Sequence, residues 1–319
     1  MRVTGAVSCH VWHERTISAM GSPGTVIAGD ATEADLDWAE AELARLERCW
    51  SRFRHDSELS ALNRARGWHD VGPELADAID RALRLHVVTE GRFDPTVLGC
   101  LVDAGYDRSF PEVAVHRADP PPPARPAPGM AGIRRSGSQV WLPLDTALDL
   151  GGLGKGLAAD LVAEGLVARG ARSACVSLGG DIRVAGGSPV DGGWRVPVAD
   201  PRQGAAPGAV LGTVAVHDGA IVTSTTAVRT WTRGNRRLHH LIDPATGAPA
   251  DRGVRAVVAT AREAWFAEGV AKAALVAGRA AGRELLDRAG VAGWLITDDG
   301  AVVASEWAPS LLTEMWRAS

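Results

Sequence analysis

The sequence has few cysteines, no excess of positive charge and no long apolar run. Its four cysteines, Cys9, Cys49, Cys100 and Cys175, lie far apart and form no Cys-x-x-Cys pair. That spacing offers no paired-cysteine zinc site and no dense disulfide framework, so we expect four reduced, partly buried thiols. The formal net charge is −4. Since nucleic-acid-binding domains are usually strongly basic, we expect no nucleic acid partner.

No stretch of about 20 apolar residues is present, so we expect no membrane span. Residues 6–9 read Ala-Val-Ser-Cys and resemble a lipoprotein cleavage box. The residues before Cys9 are too few to hold an apolar h-region, so we interpret this end as mature sequence and expect a cytoplasmic protein. A hydrophobic fraction of 46% against 23% charged residues is typical of a globular chain that buries a core.

The N-terminal third predicts two amphipathic helices. The first covers residues 31–50, where Thr32 and the acidic residue three positions later form a variant of the capping box. The second covers residues 73–89, because Pro73 suits a first helical turn and Gly91 suits the left-handed position after a helix. Apolar residues of the first helix recur at spacings of three and four and share one face: Leu36, Ala39, Leu43, Leu46 and Trp50.

After residue 130, predicted strands and helices follow one another in a mixed order without a short-period repeat. Such an order favours an α+β fold over a doubly wound one. Strands are predicted at residues 140–142, 173–178, 194–198, 213–216, 254–260 and 293–297, and helices at residues 156–169, 264–277 and 279–289.

A proline-rich stretch at about residues 117–130 separates these two parts. Residues 120–123 are four consecutive prolines and two more follow shortly after, which argues against a helix or a central strand. We expect an exposed loop with polyproline character. Because the motifs on both sides indicate one catalytic unit, we interpret the stretch as a loop within a single domain of residues 1–319.

Residues 149–156 read Asp-Leu-Gly-Gly-Leu-Gly-Lys-Gly and open a predicted helix. Glycines let a backbone approach a ligand closely, and a helix N-terminus presents N–H groups to an anion. Lys155 adds a positive charge. Gly156 stands where a Walker A loop requires Ser or Thr, so this is not that motif. On the residues alone, a phosphate-binding loop and a structural turn both fit.

Three later segments carry polar residues at predicted turns. Gly179-Gly180-Asp181 follows a strand and suits a hairpin or a bulge. Residues 223–226, Thr-Ser-Thr-Thr, predict a hydroxyl-rich turn. His240 precedes an Asp-Pro turn and could remove a proton from a hydroxyl near neutral pH, although a packed or surface histidine also fits the sequence.

Six segments, taken in order, resemble the ApbE family, the FAD:protein FMN transferases. Residues 89–97, for example, are similar to the family's Thr-Gly-Gly-Ala-Phe-Asp-Pro-Thr-Val. The resemblance extends from Met20 to about Gly278, and it is the ordered combination that makes it specific. The six segments are Met20-Gly21 and residues 51–63, 89–97, 149–160, 179–181 and 240–244.

The resemblance implies an α+β fold of the ApbE type, in which mixed and antiparallel sheets pack with helices. It also implies that FAD lies in a cleft between two halves and that Ile242 closes over it. The residues then expected at the flavin and adenine ends are Met20, Phe53, Arg92, Phe93 and Asp94. Those expected around the pyrophosphate are Gly151, Lys155 and Leu157.

The activity implied by the resemblance is transfer of FMN from FAD to a Thr or Ser hydroxyl of an acceptor flavoprotein, with release of AMP. His240 is then the candidate base or an acceptor-site residue. Lys155 and Lys272 are expected to stabilise the charge on the leaving AMP, because phosphoryl-type transfer depends mainly on positioning and charge neutralisation. The expected partners are FAD and the acceptor protein.

The sequence departs from the family at the metal site. The resemblance implies Mg²⁺ held by the backbone carbonyl of Gly154 and by an Asp and a Thr four residues apart on a late helix, where this chain has Glu268 and Lys272. A Glu can bind Mg²⁺, whereas a protonated Lys is not a normal ligand. Two interpretations stay open: the Lys272 ammonium replaces part of the metal's charge, or it forms a plain helix pair with Glu268.

Three alternative functions also stay open. An FAD pyrophosphatase would use water as the attacker and release FMN and AMP. A non-catalytic flavin-binding protein would bind FAD without turnover, which the residues at positions 268 and 272 make credible. A binder of sugar or nucleotide phosphates would use the glycine loop alone.

Overall fold

The computed structural model describes residues 11–113, 116–188, 193–202, 204–206, 208–308 and 312–315, so Cys9 and the segment before it lie outside the described residues. The strands in chain order are β1 (Trp12–Ala19), β2 (Ser22–Gly29), β3 (Trp68–Asp70), β4 (His116–Arg117), β5 (Arg134–Ser136), β6 (Gln139–Trp141), β7 (Ser173–Leu178), β8 (Asp181–Gly186), β9 (Trp194–Ala199), β10 (Val210–Val216), β11 (Gly219–Thr225), β12 (Thr230–Arg233), β13 (Arg236–His239), β14 (Ile242–Asp243), β15 (Ala248–Pro249), β16 (Val254–Ala261), β17 (Ala292–Thr297), β18 (Val302–Ala304) and β19 (Leu312–Met315). The α-helices are α1 (Glu33–Trp50), α2 (Glu58–Arg64), α3 (Pro73–Val88), α4 (Leu98–Ala104), α5 (Gly154–Ala168), α6 (Ala264–Ala277) and α7 (Arg279–Arg288).

An eight-stranded sheet forms the centre of the described chain, in the order β1-β2-β7-β8-β11-β16-β17-β18, and all its neighbouring strands are antiparallel. Four small sheets accompany it: β3-β6-β5, β13-β12-β4, β19-β10-β9 and β14-β15. Among them, β4 and β12 pair in parallel. Antiparallel and mixed sheets with packed helices confirm the predicted α+β fold.

The hairpin of β1 and β2 turns at Met20 and Gly21, between the paired residues Ala19 and Ser22. Both turn residues have positive φ, 52° and 66°, as in the two-residue turns that match the twist of a hairpin. The Met20 N–H donates to Glu47 Oε2 at 3.0 Å, which ties the turn to α1. The turn is thereby held at the edge of the cavity described below.

Helices α1 and α3 have the ends that the sequence predicts. Thr32 Oγ1 accepts from the Asp35 backbone N–H at 3.3 Å, and the Asp35 carboxylate accepts from the Thr32 N–H at 3.0 Å, which makes a reciprocal capping box. After α3, Gly91 has φ +77° and donates its N–H to the His86 carbonyl at 2.8 Å. The buried face of α1 consists of Leu36, Ala39, Leu43, Leu46 and Trp50, as predicted.

Helices α5 and α6 pack on the central sheet and cross each other closely. A Cβ added to Gly156 would lie 2.6 Å from the carbonyl carbon of Ala264, so the crossing requires a glycine there. One turn later on α5, Asp160 accepts the N–H groups of Ala264 and Trp265 at 2.8 and 3.0 Å and caps the N-terminus of α6. This crossing fixes the face of α6 that carries Glu268 against the start of α5.

The proline-rich stretch is a loop in the structure. Residues 118–129 contain no helix or strand and are mostly exposed, as predicted. The Ala127 N–H donates to the Pro244 carbonyl at 2.8 Å, and the Gly129 N–H donates to Thr96 Oγ1 at 2.9 Å. The loop therefore connects two segments that are distant in sequence and that both border the cavity.

Two smaller predictions have different outcomes. Residues 223–225 form the end of β11, so the turn predicted at 223–226 is wrong for most of its length. Cys49, Cys100 and Cys175 are free thiols, as expected, and burial raises the pKa of Cys175 to about 12. Within the described ranges, no helix is both long and apolar enough to cross a membrane.

Candidate active site

A cavity of about 370 Å³ lies where the β1–β2 turn, residues 50–54, residues 92–97, the start of α5 and the segment after β13 meet. The residues that line it range along the chain from Met20 to Val276. Its volume falls in the range of pockets for small molecules and cofactors, about 300–1,000 Å³. It is therefore the candidate active site.

The glycine loop forms one wall of this cavity. Arg52 Nε lies 3.0 Å from Asp149 Oδ2, and the other carboxylate oxygen of Asp149 accepts the Gly151 N–H at 2.7 Å. A Cβ added to Gly152 would lie 2.7 Å from the Phe93 ring, so only glycine lets the loop approach the aromatic wall so closely. The loop is thus fixed by a buried ion pair on one side and by an aromatic ring on the other.

Four ionisable side chains meet at the first turn of α5. Lys155 forms an ion pair with Asp181 and donates to Glu268 Oε1 at 2.9 Å. Lys272, one turn after Glu268 on α6, donates to the same oxygen at 2.8 Å. The second carboxylate oxygen of Glu268 accepts the Gly156 N–H at 2.8 Å. Glu268 is completely buried, whereas the lysine side chains are 14% and 16% exposed and line the cavity.

Each member of this cluster has a shifted pKa. Burial opposes ionisation of Glu268, but the positive charges of Lys155 and Lys272 outweigh it and lower the pKa of its carboxyl to about 2. Burial also opposes the charge of Lys155, yet Asp181 and Glu268 raise its pKa above the ordinary value. Burial lowers the pKa of Lys272, and Glu268 offsets this only in part. Lys155 is therefore the more firmly charged ammonium of the two.

The two histidines after β13 have different surroundings. His239 Nδ1 accepts the Leu241 N–H at 3.2 Å and its Nε2 lies 3.0 Å from the Ala250 carbonyl, so backbone groups hold it as one neutral tautomer. His240 lines the cavity, and its Nδ1 is buried with no hydrogen-bond partner in the described part of the chain. Burial and the nearby positive charge of Arg229 lower the pKa of His240 well below the ordinary value.

The segment at residues 92–94 supplies an aromatic ring and a cation to the cavity. Thr89 Oγ1 accepts the Phe93 N–H at 3.0 Å, and Asp94 Oδ1 accepts the N–H and the hydroxyl of Thr96 at 2.8 and 2.7 Å. Arg92 lines the cavity, and its Nε is buried without a hydrogen-bond partner among the described residues. Local hydrogen bonds thus fix the segment's backbone and leave the Arg92 Nε without a partner.

The cavity wall also contains residues that are absent from the predicted site residues, and among them Arg52, Tyr106 and Arg229 carry polar groups that contact one another or the loop. The Arg52 guanidinium lies 4.0 Å from the centre of the Phe53 ring and 4.6 Å from that of Tyr106. Arg229 donates to Ser22 Oγ at 2.9 Å and to Tyr106 Oη at 3.3 Å. Arg52 falls within one of the six resembling segments, whereas no signal in the sequence indicates Arg229.

Comparison with known proteins assigns this arrangement to a family. The sequence pattern of the ApbE family matches residues 18–295. The chain belongs to the ApbE family. A relative from Rhodobacter capsulatus is 33% identical over 276 residues, which cover 83% of this chain and 51% of the relative. One from Treponema pallidum is 33% identical over 264 residues, or 74% of this chain and 69% of the relative.

Both relatives are named FAD:protein FMN transferase, and the chain spans about half the length of the first. The crystal structure of the ApbE protein of Thermotoga maritima superposes with a TM-score of 0.84 at 25% identity, covering 95% of this chain and all of that one. The Vibrio cholerae flavin transferase ApbE superposes with a TM-score of 0.78 at 24% identity, which supports the fold. The ApbE-type fold implied by the sequence is thereby confirmed.

Most of the residues that the ApbE resemblance places at the site meet at this cavity. Leu157 and Glu268 lie behind its wall instead. Leu157 is fully buried in the core and donates its N–H to the Leu153 carbonyl at 2.9 Å, and Glu268 is covered by the two lysines. The predicted residues that line the cavity are Met20, Phe53, Arg92, Phe93, Asp94, Gly151, Gly154, Lys155, His240, Ile242 and Lys272.

The residues at the family's magnesium positions do not fit a magnesium ion. Both oxygens of Glu268 are engaged, one by the two ammonium groups and the other by the Gly156 N–H. Lys272 carries only donors and a positive charge. Among the described residues, no three His, Cys, Asp or Glu side chains are grouped so as to hold a metal. The ligand set of Gly154, Glu268 and Lys272 is therefore chemically unsuited to Mg²⁺.

Proposed function

We propose that this chain transfers FMN from FAD to a Thr or Ser hydroxyl of an acceptor protein and releases AMP. One observation carries the proposal: an aromatic wall, two ammonium groups at a helix N-terminus and His240, whose Nδ1 has no hydrogen-bond partner among the described residues, meet in one cavity. These features match, respectively, a flavin, a diphosphate and a hydroxyl that must lose its proton. Relatives named FAD:protein FMN transferase support the same activity.

In the proposed complex, the FAD diphosphate lies at the glycine loop beside Lys155 and Lys272. The N-terminal end of α5 and the two ammonium groups favour negative charge there. Phe53 and Phe93 offer aromatic surface to the ring systems of FAD, and Met20 adds apolar contact. Arg92, Asp94 and Ile242 also line the cavity, and we therefore place them in contact with FAD.

His240 accepts the proton of the acceptor hydroxyl as the hydroxyl oxygen attacks the FMN-side phosphorus. A P–O bond forms to the acceptor, the bond from that phosphorus to the bridging oxygen breaks, and AMP leaves with the bridging oxygen and its electron pair. Lys155 and Lys272 compensate the negative charge that collects on the leaving phosphate. The lowered pKa of His240 suits this step because it keeps the imidazole neutral near pH 7.

The test incubates the chain with FAD and an acceptor protein that an established family member modifies, with that member run in parallel. The acceptor mass should rise by that of FMN less one water, and AMP should appear in equal amount. FMN and AMP formed without acceptor would indicate a pyrophosphatase. FAD binding without products would indicate a flavin-binding protein, and absence of FAD binding would contradict every flavin-based function.

The proposed partners are FAD and an acceptor flavoprotein whose target hydroxyl reaches His240. The proposal includes no nucleic acid and no membrane among the partners. The cytoplasmic location expected from the sequence stays a prediction, because it depends on the segment around Cys9, which lies outside the described residues.

A further inference from the structure

The chain contains only two lysines, Lys155 and Lys272, among its 34 basic residues, and all the others are arginines. Both lysines line the cavity, and both donate to one oxygen of Glu268, at 2.9 and 2.8 Å. A lysine ammonium is a compact point charge, whereas an arginine guanidinium is broad and planar. The chain thus uses compact cations at this one place.

Glu268 anchors the two ammonium groups. Its side chain is completely buried, and its second oxygen accepts the Gly156 N–H at 2.8 Å. An ordinary Glu–Lys pair on a helix surface is solvated and has neither a third partner nor a backbone donor. The buried carboxylate of Glu268 therefore holds the ammonium groups of Lys155 on α5 and Lys272 on α6 next to each other.

Lys272 keeps donors for a ligand. Among the described residues it donates to Glu268 alone, and an ammonium group has three N–H donors. Its stem runs beside the glycine loop, since a Cβ added to Gly152 would lie 3.7 Å from Lys272 Cδ. A diphosphate at the glycine loop therefore lies within reach of the remaining donors of Lys272.

The same geometry disfavours a divalent cation. An ion bound at Glu268 Oε1 would stand next to two ammonium groups, and like charges repel strongly where water is excluded. Mg²⁺ also demands oxygen ligands in a near-octahedral arrangement, and Lys272 supplies none. The cluster therefore provides positive charge to an anion and has little capacity for a metal.

We propose that this site binds the FAD diphosphate and supports FMN transfer without a divalent metal, with the Lys272 ammonium supplying positive charge at the diphosphate. The inference rests on the proposed flavin chemistry and specifies which group neutralises the diphosphate. Lys272 touches the substrate in this arrangement. Among the described residues, the Glu268 carboxylate accepts hydrogen bonds from the two lysines and Gly156 and does not line the cavity, so Glu268 is a positioning residue.

The first test measures FAD affinity of the whole chain by isothermal titration calorimetry, once in EDTA and once in excess Mg²⁺. We expect the wild-type dissociation constant to be the same in both. Lys272→Thr should weaken FAD binding in EDTA by roughly 10- to 100-fold, as expected for the loss of a charge-assisted hydrogen bond. AMP release by the wild type in EDTA should match its release in Mg²⁺.

A double variant, Glu268→Asp with Lys272→Thr, restores an acid and a hydroxyl at the family's metal positions. We expect it to bind FAD weakly in EDTA and to recover affinity when Mg²⁺ is added. Arg283→Thr is the matched control, because it removes the exposed cation of an Arg–Asp pair, 3.4 Å apart, on α7. This control should bind FAD as the wild type does in both buffers.

The two possible failures are distinguishable. Wild-type binding that disappears in EDTA and returns with Mg²⁺ would overturn the metal-free proposal and leave the proposed function intact. Absence of FAD binding in both buffers would instead contradict the proposed function. Since a variant can fail to fold, the wild-type comparison alone decides between these outcomes.

The two-lysine composition permits a second measurement that does not depend on activity. In protein labelled with ¹³C at the lysine ε carbon, two lysine resonances are expected, and Lys272→Thr assigns them. FAD added in EDTA should shift the Lys272 resonance, and Mg²⁺ alone should leave it in place. A Lys272 resonance that moves with Mg²⁺ alone, or stays fixed at saturating FAD, would contradict the proposal.

Discussion

His240 differs from its neighbour His239 in the hydrogen bonding of its ring nitrogens. Both nitrogens of His239 contact backbone groups, whereas the buried Nδ1 of His240 has no hydrogen-bond partner within the described residues. A buried polar atom without a partner costs free energy of folding, about 1–3 kcal/mol, unless a ligand completes it. A substrate that hydrogen-bonds to this ring nitrogen would offset that cost.

Replacing His240 should affect the rate of FMN transfer and leave FAD binding nearly unchanged. We expect His240→Asn to lower the single-turnover rate of AMP release roughly 100-fold or more, because the general base is lost. FAD affinity should change little, since the proposed diphosphate contacts lie on Lys155 and Lys272. Quenched-flow kinetics and calorimetry measure the two effects, and the exposed His55→Asn serves as control. An unchanged rate would remove His240 from the proposed mechanism.

The lowered pKa of His240 also predicts a pH dependence. Burial first, and then the charge of Arg229, disfavour the protonated ring, so His240 stays neutral at pH values where a free histidine, with a pKa of about 6.5, takes up a proton. The rate of transfer should therefore remain level as pH falls through 6.5 and decline only at lower pH, in a profile of kcat/KM. A decline centred at about 6.5 would show an unperturbed base.

The lowered pKa of His240 also makes the stability of the fold depend on pH. Below about pH 6.5 the unfolded chain protonates this histidine and the folded chain does not, so the free energy of unfolding should fall as pH decreases toward the lowered pKa. His240→Asn should flatten that part of the urea-midpoint profile against pH.

Glu268 illustrates how one buried charge can support others. Glu268→Gln keeps the size of the side chain but removes the buried negative charge that Lys155 and Lys272 share, so that Asp181 alone is left to pair with the two ammonium groups. We expect a loss of about 3–5 kcal/mol in the free energy of unfolding, as for breaking a buried ion pair. Urea denaturation measures it. The exposed Glu284→Gln should be within about 0.5 kcal/mol of wild type, and an equally small effect at Glu268 would contradict its anchoring role.

At the scale of elements, the crossing of α5 and α6 determines the geometry of the site. Gly156→Ala places a methyl group 2.6 Å from backbone atoms of Ala264, which cannot move as a side-chain end can. We expect a loss of about 1–3 kcal/mol in stability together with weaker FAD binding, because α6 must shift and carry Lys272 with it. Gly99→Ala is the control, since a Cβ there meets nothing within 4 Å. Full FAD affinity in Gly156→Ala would show that the crossing is not critical.

Helices were more predictable from the sequence than strands. The period of the apolar residues and the capping chemistry of Thr32 place α1 almost to the residue, and the small-residue run of α6 is placed at its observed bounds. The sequence patterns do not predict strands β1, β2, β8, β11 and β18 of the central sheet. β2 contains proline and two glycines, and β11 ends in hydroxyl residues whose pattern predicts a turn. Pairing with partners far along the chain, such as β2 with β7, makes them strands.

At the scale of the whole molecule, the site is formed by segments that lie far apart along the chain. Family resemblance led to Lys155, His240 and Lys272, because they lie in or near recognisable segments. Neither the shared oxygen of Glu268 nor the contact of Arg229 with Ser22 could be predicted, because each depends on how distant elements cross in space. Sequence patterns therefore indicate candidate site residues, whereas the contacts between residues of distant elements follow only from the fold.

This assembly predicts that FAD stabilises the molecule as one unit. FAD at about 100 times its dissociation constant should add about 2.7 kcal/mol to the free energy of unfolding, which corresponds to a rise of roughly 4 °C in Tm for a chain of 319 residues. Because the walls of the cavity come from residues between Met20 and Val276, scanning calorimetry in EDTA should show one transition that moves as a whole. Two transitions of which FAD shifts only one would mean that the parts on either side of the proline-rich loop unfold separately, and the single-domain prediction would then be wrong.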